Sequence, residues 1–162
     1  SPLRFAEDLT SAMSDRQGEA ITAADFIGPM PIEPTQPGFF WYGVHTAEAL
    51  YTVMGTGCRE VFVLTSEPMD VAVGLWPGGR IGTIRGFRGE HRFFRAVLQR
   101  TDGVALLDLD AGRDTKHHHL TSAILDFFRT GKSPVPPNES MEVIRFLEAA
   151  NESRSTGRKV TI

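Results

Sequence analysis

Apolar residues near both ends of the chain recur at the three- to four-residue spacing that is typical of amphipathic helices. This spacing predicts a short helix in residues 2–14, a longer one in residues 39–54, and two more in residues 116–130 and 139–155. Glycines follow these segments and supply the left-handed conformation in which helices commonly end. The pattern therefore predicts helices before and after a central region that lacks helical spacing.

That central region has the composition and turn signals of β-strands. A first strand is predicted in residues 19–27 and a short terminal one in residues 159–162. Short connectors join the others, and a parallel crossover would need about a dozen residues, so these consecutive strands should be neighbours in an antiparallel meander of about five strands. The sequence predicts an α+β fold with a largely antiparallel open sheet of about five to six strands and helices packed on one face. The central strands are expected at residues 59–66, 70–76, 80–87, 92–100 and 104–109.

Neither face of the predicted sheet is clearly polar. Val71 and Val73 point one way, while Ala72 and Trp76 point the other. A sheet with one face in water should alternate more strictly. We therefore expect the helices of the chain to cover one face and another subunit, or another domain, to cover the second. The alternative is a mixed surface with a few exposed apolar residues.

Composition and charge narrow the class of protein. With 162 residues, 41% of them hydrophobic and 23% charged, the chain is suited to one globular domain. The net charge of −3 argues against a nucleic-acid partner, which a basic surface would favour. No apolar run approaches the roughly 20 residues that span a bilayer, so no membrane is expected. A single cysteine, Cys58, excludes an internal disulfide and a CxxC zinc site.

Glycine-rich phosphate-binding motifs are incomplete in this sequence. The segment Gly55-Thr56-Gly57 has Glu60 where a dinucleotide-binding fingerprint needs its third glycine, and it follows a predicted helix. The tail Gly131-Lys132-Ser133 lacks the leading glycine of a P-loop, since Asp126 occupies that position. We expect no cofactor and no metal to be bound by this chain alone.

His45 is the best single candidate for chemistry. Its ordinary pKa is close to neutrality, as proton transfer requires, and it falls in the first turns of a predicted helix after a Pro-Gly connector. Helical spacing puts Trp41 one turn earlier and Glu48 three residues later. The alternative is a structural histidine at a helix end with a satisfied hydrogen bond.

Three consecutive histidines, His117, His118 and His119, invite a metal-site interpretation. Consecutive helical residues point roughly 100° apart, so the three side chains cannot converge on one ion. A solvated or cleft-lining helix start is the simpler interpretation. His118 and His119 remain weaker candidates for lining a substrate cleft.

The chain resembles the C-terminal domain of the Gfo/Idh/MocA oxidoreductases, the glucose–fructose oxidoreductase and inositol dehydrogenase family. The resemblance begins at Pro37-Gly38-Phe39-Phe40-Trp41-Tyr42-Gly43-Val44-His45-Thr46-Ala47-Glu48 and covers nearly the whole chain. Further matching segments are residues 50–58, residues 79–83, residues 127–135 and residues 148–153.

This resemblance implies an N-terminal Rossmann domain, absent here, that binds NAD or NADP, and a sugar or polyol substrate. It also implies a homo-oligomer formed through the sheet. The family's helix motif has an Asp four residues before a His that assists proton transfer. Here the His matches His45, but Trp41 stands at the Asp position. The resemblance thus makes His45 the catalytic candidate, with Trp41 and Tyr42 lining the substrate site.

The resemblance also implies how the chain is organised. Residues 1–18 are expected to be a remnant of the nucleotide-binding domain and residues 19–162 the substrate-binding and oligomerisation domain. We expect a part of a cytoplasmic NAD(P)-dependent oxidoreductase that is inactive alone, and the sequence leaves open an export signal upstream. The alternative is a sugar-binding or assembly domain that kept the fold and lost the chemistry, as Trp41 would suggest.

Overall fold

The computed structural model of this chain describes residues 1–14 and 20–162. It contains a seven-stranded sheet and four α-helices, preceded by a 3₁₀ turn at Pro2–Phe5. The helices are α1 (Glu7–Ser14), α2 (Gly43–Met54), α3 (Arg113–Thr130) and α4 (Pro137–Thr156). The strands are β1 (Ile21–Pro29), β2 (Glu60–Thr65), β3 (Met69–Leu75), β4 (Ile81–Phe87), β5 (Arg95–Arg100), β6 (Val104–Asp108) and β7 (Val160–Thr161).

The sheet has the order β6-β5-β1-β4-β3-β2-β7. The α+β class and the mostly antiparallel pairing are confirmed, but the sheet has seven strands rather than five to six. The prediction that β4 and β5 are neighbours is wrong. β1 lies between them, parallel to β4 and antiparallel to β5. A short connector excludes a parallel crossover, but it does not exclude a third strand arriving from elsewhere in the chain.

α2 and α4 pack on one face of the sheet and enclose the main core. α2 contacts β1 and β4, α4 contacts β2, and the two helices contact each other. Tyr51, Trp76 and Phe146 form the aromatic centre of this core, with ring centroids 5.5 to 6.2 Å apart. These aromatic contacts pack the C-terminal half of α2 against the end of β3 and against α4.

The opposite face of the sheet is not covered by any of the described elements. Leu64 on β2, Ile81 on β4 and Leu106 on β6 are exposed there, the last to 78%. Phe62 and Val73 lie between them and are half-buried. The sequence-based expectation of helices on one face is confirmed, and the other face is a broad, mainly apolar surface.

The N-terminal segment packs into the same structure, with Leu3 and Leu9 buried in the core. The expected boundary between residues 18 and 19 lies outside the described residues. α3 contacts mainly the 3₁₀ turn Pro2–Phe5, and its apolar side chains remain exposed, Phe128 to 79%. None of the described helices is long and apolar enough to span a bilayer.

Candidate functional site

A pocket of about 170 Å³ lies where the first turns of α2 and α3 come together. Tyr42 and His45 supply one wall, and Phe94, immediately before β5, supplies another. The segment after β6 and the start of α3 form the base. The complete lining is Ser1, Pro2, Leu3, Tyr42, His45, Phe94, Asp110, Lys116 and His117.

Tyr42 has an unusual backbone conformation at the entrance to α2. Its φ of 54° is the only positive value among the non-glycine residues that the structure describes. The Gly43 amide donates to the Trp41 carbonyl at 2.5 Å across it, which is a γ-turn of the rare, strained hand. Such a conformation costs on the order of 1–3 kcal/mol and persists where the surroundings enforce it. This turn brings the Tyr42 ring to the pocket.

Because of this turn, the helix that the sequence predicts over residues 39–54 starts later than expected. The regular helix begins only at Gly43, after a 3₁₀ turn at Gly38–Phe40, so Trp41 does not stand one helical turn before His45. Trp41 is 38% exposed and does not line the pocket. Its ring contacts Tyr42 edge to face, with centroids 5.5 Å apart.

A side chain from α4 fixes the connector that leads into this turn. Asn151 Oδ1 accepts the Phe39 amide at 2.9 Å, and Asn151 Nδ2 donates to the Pro37 carbonyl at 3.2 Å. Gly38 between them has φ of 37°, and a Cβ there would lie 2.3 Å from Asn151 Oδ1. Glycine is therefore required at this position, and α4 sets where the connector meets α2.

His45 is half-buried in the wall of the pocket. Its Nδ1 lies 3.1 Å from the Ser1 hydroxyl, and its ring meets Tyr42 edge to face with centroids 5.5 Å apart. Its Nε2 has no hydrogen-bond partner among residues 1–14 and 20–162. Burial lowers the pKa of His45 from its ordinary 6.5, and the Glu48 carboxylate opposes this shift. A neutral imidazole with one available nitrogen can accept a proton at neutral pH.

Phe94 also contacts the His45 ring edge to face, with centroids 6.3 Å apart. The position depends on Gly28 of β1, where an added Cβ would come within 2.5 Å of the Phe94 ring. The absence of a side chain at Gly28 therefore lets the aromatic ring approach the sheet and shield His45 from solvent on this side.

The base of the pocket holds a buried ion pair that the sequence analysis missed. Lys116 Nζ donates to Asp110 Oδ1 at 3.0 Å and to the Leu109 carbonyl at 2.6 Å. Asp110 Oδ2 accepts the Phe94 amide at 2.5 Å. The signal in the sequence is a lysine in the first turn of a helix, where the helix dipole disfavours a cation unless a partner is near.

The remaining candidates lie apart from this cluster. His118 and His119 are exposed and do not line the pocket, whereas their neighbour His117 does. No group of three or more His, Cys, Asp or Glu within the described part of the chain is arranged to hold a metal ion. Of the predicted site residues, the structure brings together Tyr42 and His45 and leaves Trp41 beside them.

The described residues do not form a dinucleotide cradle. Gly55 and Gly57 follow α2 and precede β2, so they do not join a strand to a helix N-terminus as a pyrophosphate site requires. The single parallel strand pair, β1 with β4, carries no glycine-rich turn into a helix at its end. The described residues therefore do not form a binding site for NAD or NADP by themselves.

No protein-family profile and no curated protein sequence matches this chain. Solved structures match it over nearly its whole length. GenD2 from gentamicin A biosynthesis, solved with NAD, shares 17% identity at a TM-score of 0.83, covering 99% of this chain and 62% of that one. A myo-inositol dehydrogenase from Corynebacterium glutamicum shares 15% identity at a TM-score of 0.80, covering 99% and 63%.

A third structure is scyllo-inositol dehydrogenase from Lactobacillus casei with bound NAD(H) and scyllo-inositol. It shares 9% identity at a TM-score of 0.75, covering 99% of this chain and 63% of that one. The chain has a fold that resembles the C-terminal domain of the Gfo/Idh/MocA oxidoreductases. The resemblance inferred from the sequence is thus confirmed for the fold. The chain spans about 62% of the length of the first of these structures, and at such identities the likeness establishes the fold alone.

Proposed function

We propose that this chain is the substrate-binding and oligomerisation domain of a longer NAD(P)-dependent oxidoreductase that acts on a hydroxyl of a sugar or polyol. The observation that carries the proposal is His45, a partly buried imidazole whose pKa is lowered and whose Nε2 has no partner among the described residues, in the wall of a pocket. Structures of the same fold include enzymes named as inositol dehydrogenases, one of them with NAD(H) and scyllo-inositol bound.

In this proposal, His45 accepts the proton of the substrate hydroxyl. Its neutral form is the base, and burial favours that form at neutral pH. Tyr42 and Phe94 both pack against the imidazole and limit the access of water to it, while Trp41, beside Tyr42, offers an aromatic surface to the outer part of a sugar ring. His118 and His119 are proposed only for the outer rim, since both are exposed.

The nicotinamide cofactor would be held by a Rossmann domain outside these 162 residues. When bound in the full-length protein, it would supply the redox chemistry that this chain lacks. The exposed apolar side of α3, which includes Ile124, Leu125 and Phe128, is available for contact with that domain. Residues 1–18 are proposed as the end of the nucleotide-binding domain, and residues 19–162 as the substrate-binding and oligomerisation domain.

The uncovered face of the sheet is proposed as a homo-oligomer interface. Its central strands carry Phe62, Val73 and Ile81, which a second copy would bury. Broad exposed apolar surfaces are uncommon on monomers, which supports an association site on this face. A C₂ dimer formed face to face would use the same strands from both copies.

A direct test of the activity is cofactor reduction by the full-length protein over a panel of polyols and sugars that includes myo-inositol, scyllo-inositol and D-glucose. We expect growth of the reduced-nicotinamide absorbance with at least one of them, with either NAD or NADP. Absence of turnover across the panel, in protein that binds the cofactor, would contradict the proposal.

The second candidate is a sugar-binding or assembly domain without catalysis, which Trp41 favours. An aromatic side chain replaces the carboxylate that the family motif has four residues before the histidine. In that case the full-length protein would bind a polyol without oxidising it. Calorimetric binding together with absence of cofactor reduction would favour this candidate over the enzyme.

A further inference from the structure

Lys116 is a buried cation at the base of the pocket that contains His45. The residue is only 3% exposed, yet it lines the pocket. Burying an ammonium group is costly unless it is paired and hydrogen-bonded, so such a group needs a reason. By contrast, Lys132, just beyond the end of the same helix, is exposed to solvent, as most lysines are.

The hydrogen bonds of Lys116 are incomplete. An ammonium has three N–H donors, and two of them reach the Leu109 carbonyl and Asp110 Oδ1. The third has no partner among residues 1–14 and 20–162. Because the side chain is buried and lines the pocket, the pocket is where a partner for this donor can bind.

Pairing with Asp110 does not by itself explain the lysine. Asp110 Oδ2 already accepts the Phe94 amide at 2.5 Å and lies 3.3 Å from Arg95 Nη1. Arg95, which it shares with Asp108, therefore gives this carboxylate a cation besides Lys116. A second cation, placed in the first turn of α3 where the helix dipole is positive, would be unfavourable unless another acceptor is present.

We propose that Lys116 is a substrate-binding residue whose third N–H donates to an oxygen of the sugar or polyol in the His45 pocket. This inference rests on the proposed function for the identity of the ligand. The acceptor is a hydroxyl or a carboxylate oxygen, since both accept from an ammonium. His45 in the wall and Lys116 at the base then contact the substrate from two sides of the pocket.

The test is calorimetric binding to the full-length protein, with myo-inositol and D-glucose as neutral probes and D-glucuronate as the carboxylate probe. Lys116→Met keeps the length of the side chain and removes the donor, and Lys132→Met is the matched control. We expect Lys116→Met to weaken binding of a probe that the wild type binds by about tenfold or more, and Lys132→Met to leave it unchanged. A stronger loss for D-glucuronate would identify a carboxylate acceptor, and an equal loss a hydroxyl.

Equal affinities for the wild type and Lys116→Met would overturn the inference, as would a wild type that binds none of the three probes. If Lys116→Met fails to fold by circular dichroism, the double variant Asp110→Asn/Lys116→Met, which removes both charges of the pair and still lacks the donor, takes its place with the same expectations. In turnover assays KM should rise more than kcat falls. If a probe binds through Lys116 but is not turned over, the proposed dehydrogenase activity is refuted and the Lys116 site stands. If the substrate is turned over and KM is unchanged in Lys116→Met, only the Lys116 site is refuted.

Discussion

The carboxylate of Asp70 on β3, which has no exposed surface, accepts a hydrogen bond from Arg154 Nε on α4 at 2.9 Å. Arg88 and Thr65 contact the same carboxylate. The cluster ties the last turns of α4 to the sheet, and the same stretch of α4 carries Asn151, which fixes the connector before Tyr42. The pocket therefore depends on contacts well outside its lining.

Asp70→Asn is expected to destabilise the chain by about 3–5 kcal/mol, because it leaves two partly buried arginines without their counter-charge. The measurement is urea denaturation followed by circular dichroism. Asp126→Asn is the control, since Asp126 and Arg129 form an exposed pair on α3 whose loss should cost less than about 1 kcal/mol. Similar losses in the two variants would show that the Asp70 cluster does not anchor α4.

The lowered pKa of His45 predicts how stability depends on pH. The unfolded chain, with the ordinary pKa of 6.5, binds the proton more tightly than the folded chain. The contribution of His45 to stability is therefore complete above pH 6.5 and is lost as the pH falls through the folded-state pKa. Urea midpoints measured between about pH 7.5 and about pH 5 should fall further for the wild type than for His45→Gln. An equal or smaller fall in the wild type would refute the lowered pKa.

The uncovered sheet face predicts self-association. At micromolar concentration the 162-residue chain should scatter light as a dimer or a larger assembly. Val73→Lys puts a charge on this face between Phe62 and Thr83, its neighbours on the adjacent strands, and should give a folded monomer. Ser122→Lys, on the exposed side of α3, should leave the assembly intact. A monomeric wild type would contradict the proposed interface.

Local signals in the sequence predicted most elements of the fold but not the order of the sheet. Periodicity indicated α3 and α4 closely, and turn residues indicated β2 to β6. The insertion of β1 between β4 and β5 depends on contacts between residues 58 to 79 positions apart, such as Phe26 with Ile84 and with Ala96. Neither spacing nor turn chemistry encodes such a pairing.

The site was predicted in part for similar reasons. His45 is identified by its residue type and by its place after a Pro-Gly connector. The connector before the γ-turn at Tyr42 is held by hydrogen bonds of Asn151, which lies more than 100 residues away in the chain. Helical spacing therefore placed Trp41 on the helix of His45, whereas the regular helix begins only at Gly43. Lys116 was missed because a lysine near the start of a helix is usually solvated, and only the fold brings it against Asp110, six residues upstream.

The decisive measurement is kcat of the full-length protein carrying His45→Ala, with an accepted polyol or sugar and saturating cofactor. If His45 accepts the substrate proton, kcat falls by about 10²-fold or more, because general-base catalysis contributes a factor of that order. His91→Ala, an exposed histidine before β5 that does not line the pocket, is the control and should retain wild-type kcat. An unchanged kcat in His45→Ala would show that His45 does not accept the substrate proton, and would contradict the catalytic role proposed for this chain.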